Sequence, residues 1–381
     1  MVPTRKILLV TNDLGPRAGG IETFILGLLG QLDGSQIVIY TAAQAGSQEF
    51  DATLSAATGA IIIRDKSSIL IPTPFLNRRV RTVMQTFGSD VIWFGAAMPL
   101  AWMAGLLKRG GAERIVALTH GHEVWWAKLP IFRGVFARAT RSIDLLTYLG
   151  EFTRRALAPV VHPNCSQVQI APGISNDHFS PGPKSERLLR ELHLEGKQVL
   201  LTVGRLVHRK GQDKLLQALP QIISQHPDVV LLIVGVGPRQ KKLDQLIRHL
   251  NLSDFVRFVG RVAYEKLPEY FRLADLFVMP SRSRLAGLEV EGLGIVYLEA
   301  SASGIAVIAG ASGGAPDAVI AGKTGEIVDG TSIDQIAQVI NELLDHPARL
   351  REMGRAGRAW TESAWGWQIW GERFKAALLG N

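Results

Sequence analysis

The stretch KILLVTNDLGPRAGGIETFILGLLGQL, residues 6–32, decides the fold. KILLVTND (6–13) is a short apolar run of strand type, LGPRAGG (14–20) is a Gly/Pro loop, and IETFILGLLGQL (21–32) has the spacing of an amphipathic helix. Strand, tight loop and helix make one βα unit. The rhythm repeats through QIVIY, AIIIR, DVIWF, RIVAL and DLLTY, each short and rich in β-branched residues. APGISNDHFSPGPKSERLL (171–189) interrupts it with three prolines and an NDH turn, as an interdomain linker does. A second series follows: QVLLTVGRL, VVLLIVGVG, VRFVG, DLFVMPS, IAVIAG and GEIVDG. Near-continuous apolar strands alternating with helices imply parallel sheets covered on both faces. The expected architecture is therefore α/β, with two Rossmann-like doubly wound domains over residues 1–175 and 176–360 and a ligand cleft between them. The segment 361–381 ends in AWGWQIWGERFKAALLGN, an amphipathic helix with three tryptophans, expected to pack back on the first domain.

Composition agrees. A chain of 381 residues exceeds the usual single-core limit, and 47% hydrophobic with 20% charged residues is ordinary for a globular protein. The lone Cys165 excludes an internal disulfide and suits a reducing compartment. In the opening MVPTRKILLVTND the apolar run is too short for a secretion signal. Residues 91–107, VIWFGAAMPLAWMAGLL, carry no charge but only reach the lower limit of a membrane span. Gly95 and Pro99 divide them into a buried strand, a loop and a core helix starting at Pro99.

The formal net charge is +8, and the excess leans to the first half. Residues 1–180 hold 17 Lys and Arg against 12 Asp and Glu, the rest 25 against 22. FLNRRVRTVMQTF (75–87) carries Arg78, Arg79 and Arg81. LPIFRGVFARATRSI (129–143) sets Phe132, Val135 and Phe136 at helical spacing against Arg133, Arg138 and Arg141. Such a helix suits adsorption to an anionic lipid surface; an ordinary helix with solvated arginines has the same pattern. No zinc knuckle, helix-turn-helix or RNA-binding aromatic motif supports nucleic-acid binding.

The candidate chemistry sits in EVEGLGIVYLEASASGIAVIAG (289–310), where seven residues separate Glu291 from Glu299. Two acids in so apolar a stretch need donors from backbone or ligand. The spacing, a little over two helical turns, predicts both side chains on one face near a helix start, which suits a polyhydroxylated ligand. A surface helix with two unrelated acids is the plainer alternative, and the apolar flanks disfavour it. In GRLVHRKGQDKLL (204–216), Arg205 and Lys210 stand five positions apart after a strand, placed to clamp a diphosphate, with Arg209 able to replace either. Solvated surface cations are the alternative there. THGHEVWW (119–126) sets His120, His122 and Glu123 after the strand RIVAL; a polar contact from His120 is preferred to a metal site, for which no third ligand is evident. Gly19 and Gly20 open a helix after the first strand, and SGGAPDAV (312–319) offers free N–H groups; both are possible anion seats or plain turns. No Asp-x-Asp occurs.

Together these residues resemble a retaining glycosyltransferase of family 4 with the GT-B architecture, over nearly the whole chain. TNDLGPRAGGIETF, IWFGAAMPLAWMAG, THGHEVWWAKLP, RLVHRKGQD and EGLGIVYLEASASGIAVIAGASGGAPDAV are similar to the GDP-mannose-dependent phosphatidylinositol monomannoside mannosyltransferases of actinobacteria. SRSRLAGLEVEG stands in place of a Thr-Arg-Gly-Gly-type loop, and IETF in place of an Ile-Gln-Ser-Tyr-like stretch, departures that bear on the acceptor. The resemblance implies catalytic roles for His120, Glu291, Arg205 and Lys210. It implies nucleotide-sugar contacts from Gly19, Gly20, Val262, Gly294, Ile295 and Glu299 as well, and acceptor contacts from Asp13 and Arg17. It further implies a GDP-mannose co-substrate, no metal or other required cofactor, and a lipid-linked acceptor on the cytoplasmic membrane face. The alternatives are another nucleotide sugar, such as UDP-glucose or UDP-N-acetylglucosamine, with a different acceptor; a sugar-nucleotide epimerase; and a non-catalytic sugar-binding protein.

Overall fold

The computed structural model describes residues 5–17 and 19–380. The first four residues of the opening segment, and Ala18 in the Gly/Pro loop, lie outside them. The chain forms two compact units: one runs up to Gly173 and resumes at Trp367, the other is Ile174–Gly366.

The first unit holds a seven-stranded parallel sheet of β1 (Ile7–Thr11), β2 (Ile37–Thr41), β3 (Ile61–Arg64), β4 (Val91–Phe94), β5 (Arg114–Ala117), β6 (Leu145–Tyr148) and β7 (Ser166–Gln169), in the order β3-β2-β1-β4-β5-β6-β7. The second holds β8 (Gln198–Val203), β9 (Val229–Val234), β10 (Val256–Gly260), β11 (Leu276–Met279), β12 (Ala306–Gly310) and β13 (Gly325–Val328), in the order β10-β9-β8-β11-β12-β13. The doubly wound α/β expectation is borne out, because strands such as β1 and β9 are buried at every position and must be covered on both faces. The covering helices are amphipathic: Leu215, Leu216, Leu219 and Ile222 form the buried stripe of the helix Gln212–Gln225. Sequence pattern missed β7, whose SQVQ is a polar, half-exposed edge strand without an apolar run.

Each sheet reverses its winding once, at β1/β4 and at β8/β11. Crossovers leave in opposite directions from these strand pairs, so a crevice opens at their carboxyl ends, the usual place for a ligand in such sheets.

The segment after β4 follows the sequence expectation with one adjustment. After β4 the chain makes a 3-10 turn at Leu100–Met103 and then the short helix Ala104–Arg109. No helix among the described residues is long and apolar enough to cross a membrane. At the C-terminus, the helix Pro347–Ala364 runs through position 361 and belongs to the second unit; only the helix Trp367–Leu379 is part of the first. There Phe374 meets the buried Trp93 ring at 4.8 Å, and the Arg114 guanidinium donates to the Ala377 carbonyl at 2.7 and 3.0 Å, satisfying an acceptor of the last turn. The helix Gly20–Leu29 reads Gly at position 27 because a Cβ there would overlap the Trp367 indole.

Candidate active site

In the first unit the candidate residues gather at the β1/β4 switch. Gly95, directly after β4, has no room for a Cβ beside the Thr11 side chain, so the two strand ends approach closely. Its carbonyl lies 2.6 Å from His120 Nε2. A carbonyl can only accept, so Nε2 carries the proton and Nδ1 is left as an acceptor. Burial pushes the His120 pKa down, against the opposing charge of Glu123, so the ring is neutral. Glu123, fully buried, accepts the His120 backbone N–H at 2.8 Å and lies 3.4 Å from His122. That geometry makes Glu123 a bracket for the histidine turn. Among the described residues no group of three His, Cys, Asp or Glu converges to hold a metal ion.

Asp13 is oriented by its own amide, which donates to Thr11 Oγ1 at 2.9 Å. Arg17 is exposed, with its amide toward Gln44 Oε1 at 3.3 Å. Gly19 is extended and Gly20 begins the helix; both lie open, and a Cβ on either would meet nothing within 4 Å. Glu22 went unassigned in the sequence beyond its place in the departing IETF. Burial raises its pKa, the Gly19 amide partly offsets this, and Asp13 raises it further.

In the second unit the β8 and β11 ends carry the charged cluster. β8 leads through Gly204 into the turn His208–Lys210. Lys210, 8% exposed, places Nζ 2.9 Å from Glu291 Oε2, and Arg209 Nε lies 3.8 Å from the same oxygen. Arg209 thus takes the place beside Glu291, whereas Arg205 is exposed and makes no ion pair among the described residues. Glu291 and Glu299 do not share a helix face. The helix is Ile295–Ala302, and its cap Gly294 is left-handed, φ 77°, so Glu291 lies in the preceding loop. Two glycines within four residues break the period that the spacing suggested. The Glu291 loop is held from behind: the Gly314 amide donates to the Glu291 carbonyl at 2.8 Å, and a Cβ at Gly313 would overlap that carbonyl.

Glu299 is on the helix, 6% exposed, and its carboxyl accepts no hydrogen bond among the described residues. Burial pushes its pKa up to about 7, with Lys210 opposing. Ile295 opens this helix, and Val262, half-buried, follows β10.

Three further residues shape the cluster and were missed in the sequence. Arg282, after β11, donates through Nη2 to Asp213 Oδ2 and to His208 Nδ1, both at 2.7 Å, and its amide donates to the Arg209 carbonyl at 2.8 Å. It pins the turn that carries Arg209 and Lys210. Burial alone would raise the Asp213 carboxyl, but the Arg282 bond and charge outweigh it and hold the pKa below the usual range. Tyr297 donates to the Met279 carbonyl at 2.8 Å and meets Ser281 Oγ at 2.9 Å, tying the Glu299 helix to the end of β11. Only distance in sequence hid them: each acts through partners 16 to 74 positions away. In the loop that departs from the family pattern, Leu285 and Ala286 hold φ of 50° and 53°, a region that favours glycine, with an Arg284–Glu289 ion pair of 2.8 Å clasping its base.

Comparison with known proteins places this geometry. Residues 185–360 match the family described as glycosyl transferases group 1. The chain is 40% identical over 377 residues, 98% of either chain, to the GDP-mannose-dependent alpha-(1-6)-phosphatidylinositol monomannoside mannosyltransferase of Mycolicibacterium smegmatis. It is 39% identical, over 99% of either chain, to the GDP-mannose-dependent monoacylated alpha-(1-6)-phosphatidylinositol monomannoside mannosyltransferase of Corynebacterium glutamicum. Its fold superposes on Anabaena HepE, crystallised with UDP, with a TM-score of 0.84 at 19% identity over 99% of this chain and 100% of that one. With that likeness along its whole length, the chain belongs to the group 1 family of glycosyltransferases.

Proposed function

We propose that the protein transfers mannose from GDP-mannose, with retention of configuration, to a phosphatidylinositol mannoside-type lipid acceptor at the cytoplasmic membrane face. The observation that carries this reading is the buried Lys210–Glu291 pair at the β8/β11 switch, in a chain 40% identical to enzymes named for GDP-mannose and that acceptor class. Lys210 and Arg205 meet the diphosphate and stabilise the charge that grows on it as the glycosidic bond breaks, the largest electrostatic demand of such a transfer. Glu291 accepts from donor-sugar hydroxyls and Glu299 from the ribose. Gly294 and Ile295 supply the N–H groups of a helix start, Val262 packs beside the nucleotide, and Gly19 and Gly20 allow close backbone approach to phosphate. His120, neutral with Nδ1 free to accept, faces the sugar near the reacting carbon. Asp13 and Arg17 contact the acceptor, whose hydroxyl attacks from the face the nucleotide leaves. Arg133, Arg138 and Arg141 bring the helix Pro130–Thr140 to an anionic surface.

A nucleotide-release assay over a panel of GDP- and UDP-sugars, with and without lipid extract, tests the reading. GDP-mannose alone should be consumed, and faster with phosphatidylinositol mannosides. Release only from a UDP-sugar would replace the donor, and interconversion of two nucleotide sugars without acceptor would replace the reaction class.

Glu299 makes this binding pH-dependent. In the free protein its carboxyl titrates at about 7, against 4.5 for the ordinary group. Its contribution to stability is complete below about 4.5 and is lost as the pH rises through 7; in full it is about 3 kcal/mol. Ribose hydroxyls favour the ionised form. GDP affinity should therefore fall as the pH drops below about 7, by up to tenfold per unit, with proton release on binding. Titration calorimetry in two buffers of different ionisation enthalpy measures this. Glu299→Gln should flatten the profile; a parent profile already flat between pH 5 and 7 would remove Glu299 from the nucleotide contact.

A further inference from the structure

The first unit holds a cavity of about 390 Å³, apart from every residue assigned to the reaction. Arg138 on the helix Pro130–Thr140, Arg141 at its end and Arg109 at the end of Ala104–Arg109 line it. None of the three makes an ion pair among the described residues, and none of the lining residues is acidic. Thr73, the N-cap of the helix Pro74–Phe87, completes the polar wall, adding the positive end of a four-turn helix. Three guanidinium groups round one cavity repel each other and make a local positive potential that a phosphate would neutralise.

The rest of the lining chooses between a soluble anion and a lipid. Trp102 and Leu106 line the same cavity and are 43% and 41% exposed. Ile71 and Phe75, flanking the Pro72–Pro74 wall in sequence, are 58% and 78% exposed. A site for a free anion needs no apolar rim, whereas cations beside exposed tryptophan and aliphatic side chains match the boundary between headgroups and acyl chains. We infer that this cavity seats the phosphate headgroup of an anionic glycerophospholipid, with Trp102 and Leu106 against the start of the acyl chains. The volume is that of a small-ligand pocket and fits one headgroup. The inference deepens the lipid-surface part of the proposed function and rests on it, but not on the identity of the donor or the transfer.

The test is binding to phosphatidylcholine vesicles with and without phosphatidylinositol, read by co-sedimentation with neither donor nor acceptor present, so it can fail while transfer stands. Arg138→Gln with Arg141→Gln is compared with Arg78→Gln with Arg81→Gln, which removes the same charge from exposed positions outside the cavity. The cavity pair should lose about twentyfold or more in affinity for the phosphatidylinositol vesicles, from about fivefold per basic residue, and the surface pair clearly less. Trp102→Phe should reduce the quenching of protein fluorescence by lipids brominated on the acyl chain. Equal losses in the two pairs would mean diffuse charge and overturn the cavity site. Binding of soluble glycerophosphoinositol that depends on Arg138 and Arg141, with vesicle binding unchanged, would make it a soluble-anion site and overturn the lipid assignment. Quenching unchanged in Trp102→Phe would also reject the lipid assignment.

Discussion

Lys210→Ala should lower kcat for sugar transfer by about two to three orders of magnitude, the effect of losing one well-placed donor to a developing negative charge. Lys210 is nearly buried and lies 2.9 Å from Glu291, while Arg209, at 3.8 Å from the same oxygen, sits on the turn whose backbone Arg282 pins. The substitution has a second consequence. Glu291, 5% exposed, would lose its closest cation, and breaking one side of a buried pair costs about 3–5 kcal/mol. The two losses separate in a double variant. Lys210→Ala with Glu291→Gln should regain much of the thermal stability, because no unpaired charge is left buried, while turnover stays low. Initial rates of GDP release and thermal midpoints on the same preparations measure both. Turnover equal to the parent in Lys210→Ala would end the clamp assignment; stability unchanged in the single variant would show that the pair is not energetically coupled.

Gly211→Ala should be among the most damaging single-methyl changes in the second unit. Gly211 follows Lys210 and holds φ 77°, where a side chain strains the backbone by about 1–2 kcal/mol. A Cβ there would also overlap the carbonyl oxygen of Pro280, at the end of β11, which is backbone and cannot rotate away. Overpacking adds about 1–3 kcal/mol, so a total near 3–5 kcal/mol is expected, seen as a lower denaturation midpoint at unchanged slope. The same contact sets the distance between the Lys210 turn and the β11 end that carries Arg282, so activity should fall more steeply than the folded fraction. Gly196→Ala is the matched control: its φ is 68°, but a Cβ meets open space, so only the strain remains. Equal destabilisation in the two variants would show that the Pro280 approach contributes nothing.

The fold was readable from the chain because its strands are apolar without interruption. β1, β4, β8, β9, β11 and β12 each announce themselves locally, and parallel strands between helices leave one architecture open. β7 was not readable, since an edge strand needs few apolar residues to hold its place. At the site, Glu291, Glu299 and Lys210 stood out because charges near apolar runs demand a partner. The period of the segment misled on their arrangement: Gly294 turns the backbone left-handed, and a conformational break of that kind outweighs side-chain spacing.

By itself, then, the sequence determined the two wound sheets, the family and the acids and cations that any site would have to accommodate. Local propensity and burial act over a few residues and need no partner to be recognised. The tertiary structure alone decided which cation meets which acid. It put Arg209 rather than Arg205 beside Glu291, braced Lys210 through Arg282 and Asp213, buried Glu299 with no hydrogen-bond donor among the described residues and so shifted it toward neutrality, and gathered Arg109, Arg138 and Arg141 round one cavity. Electrostatic strength depends on distance and on exclusion from water, and both are set by chain segments far apart in sequence.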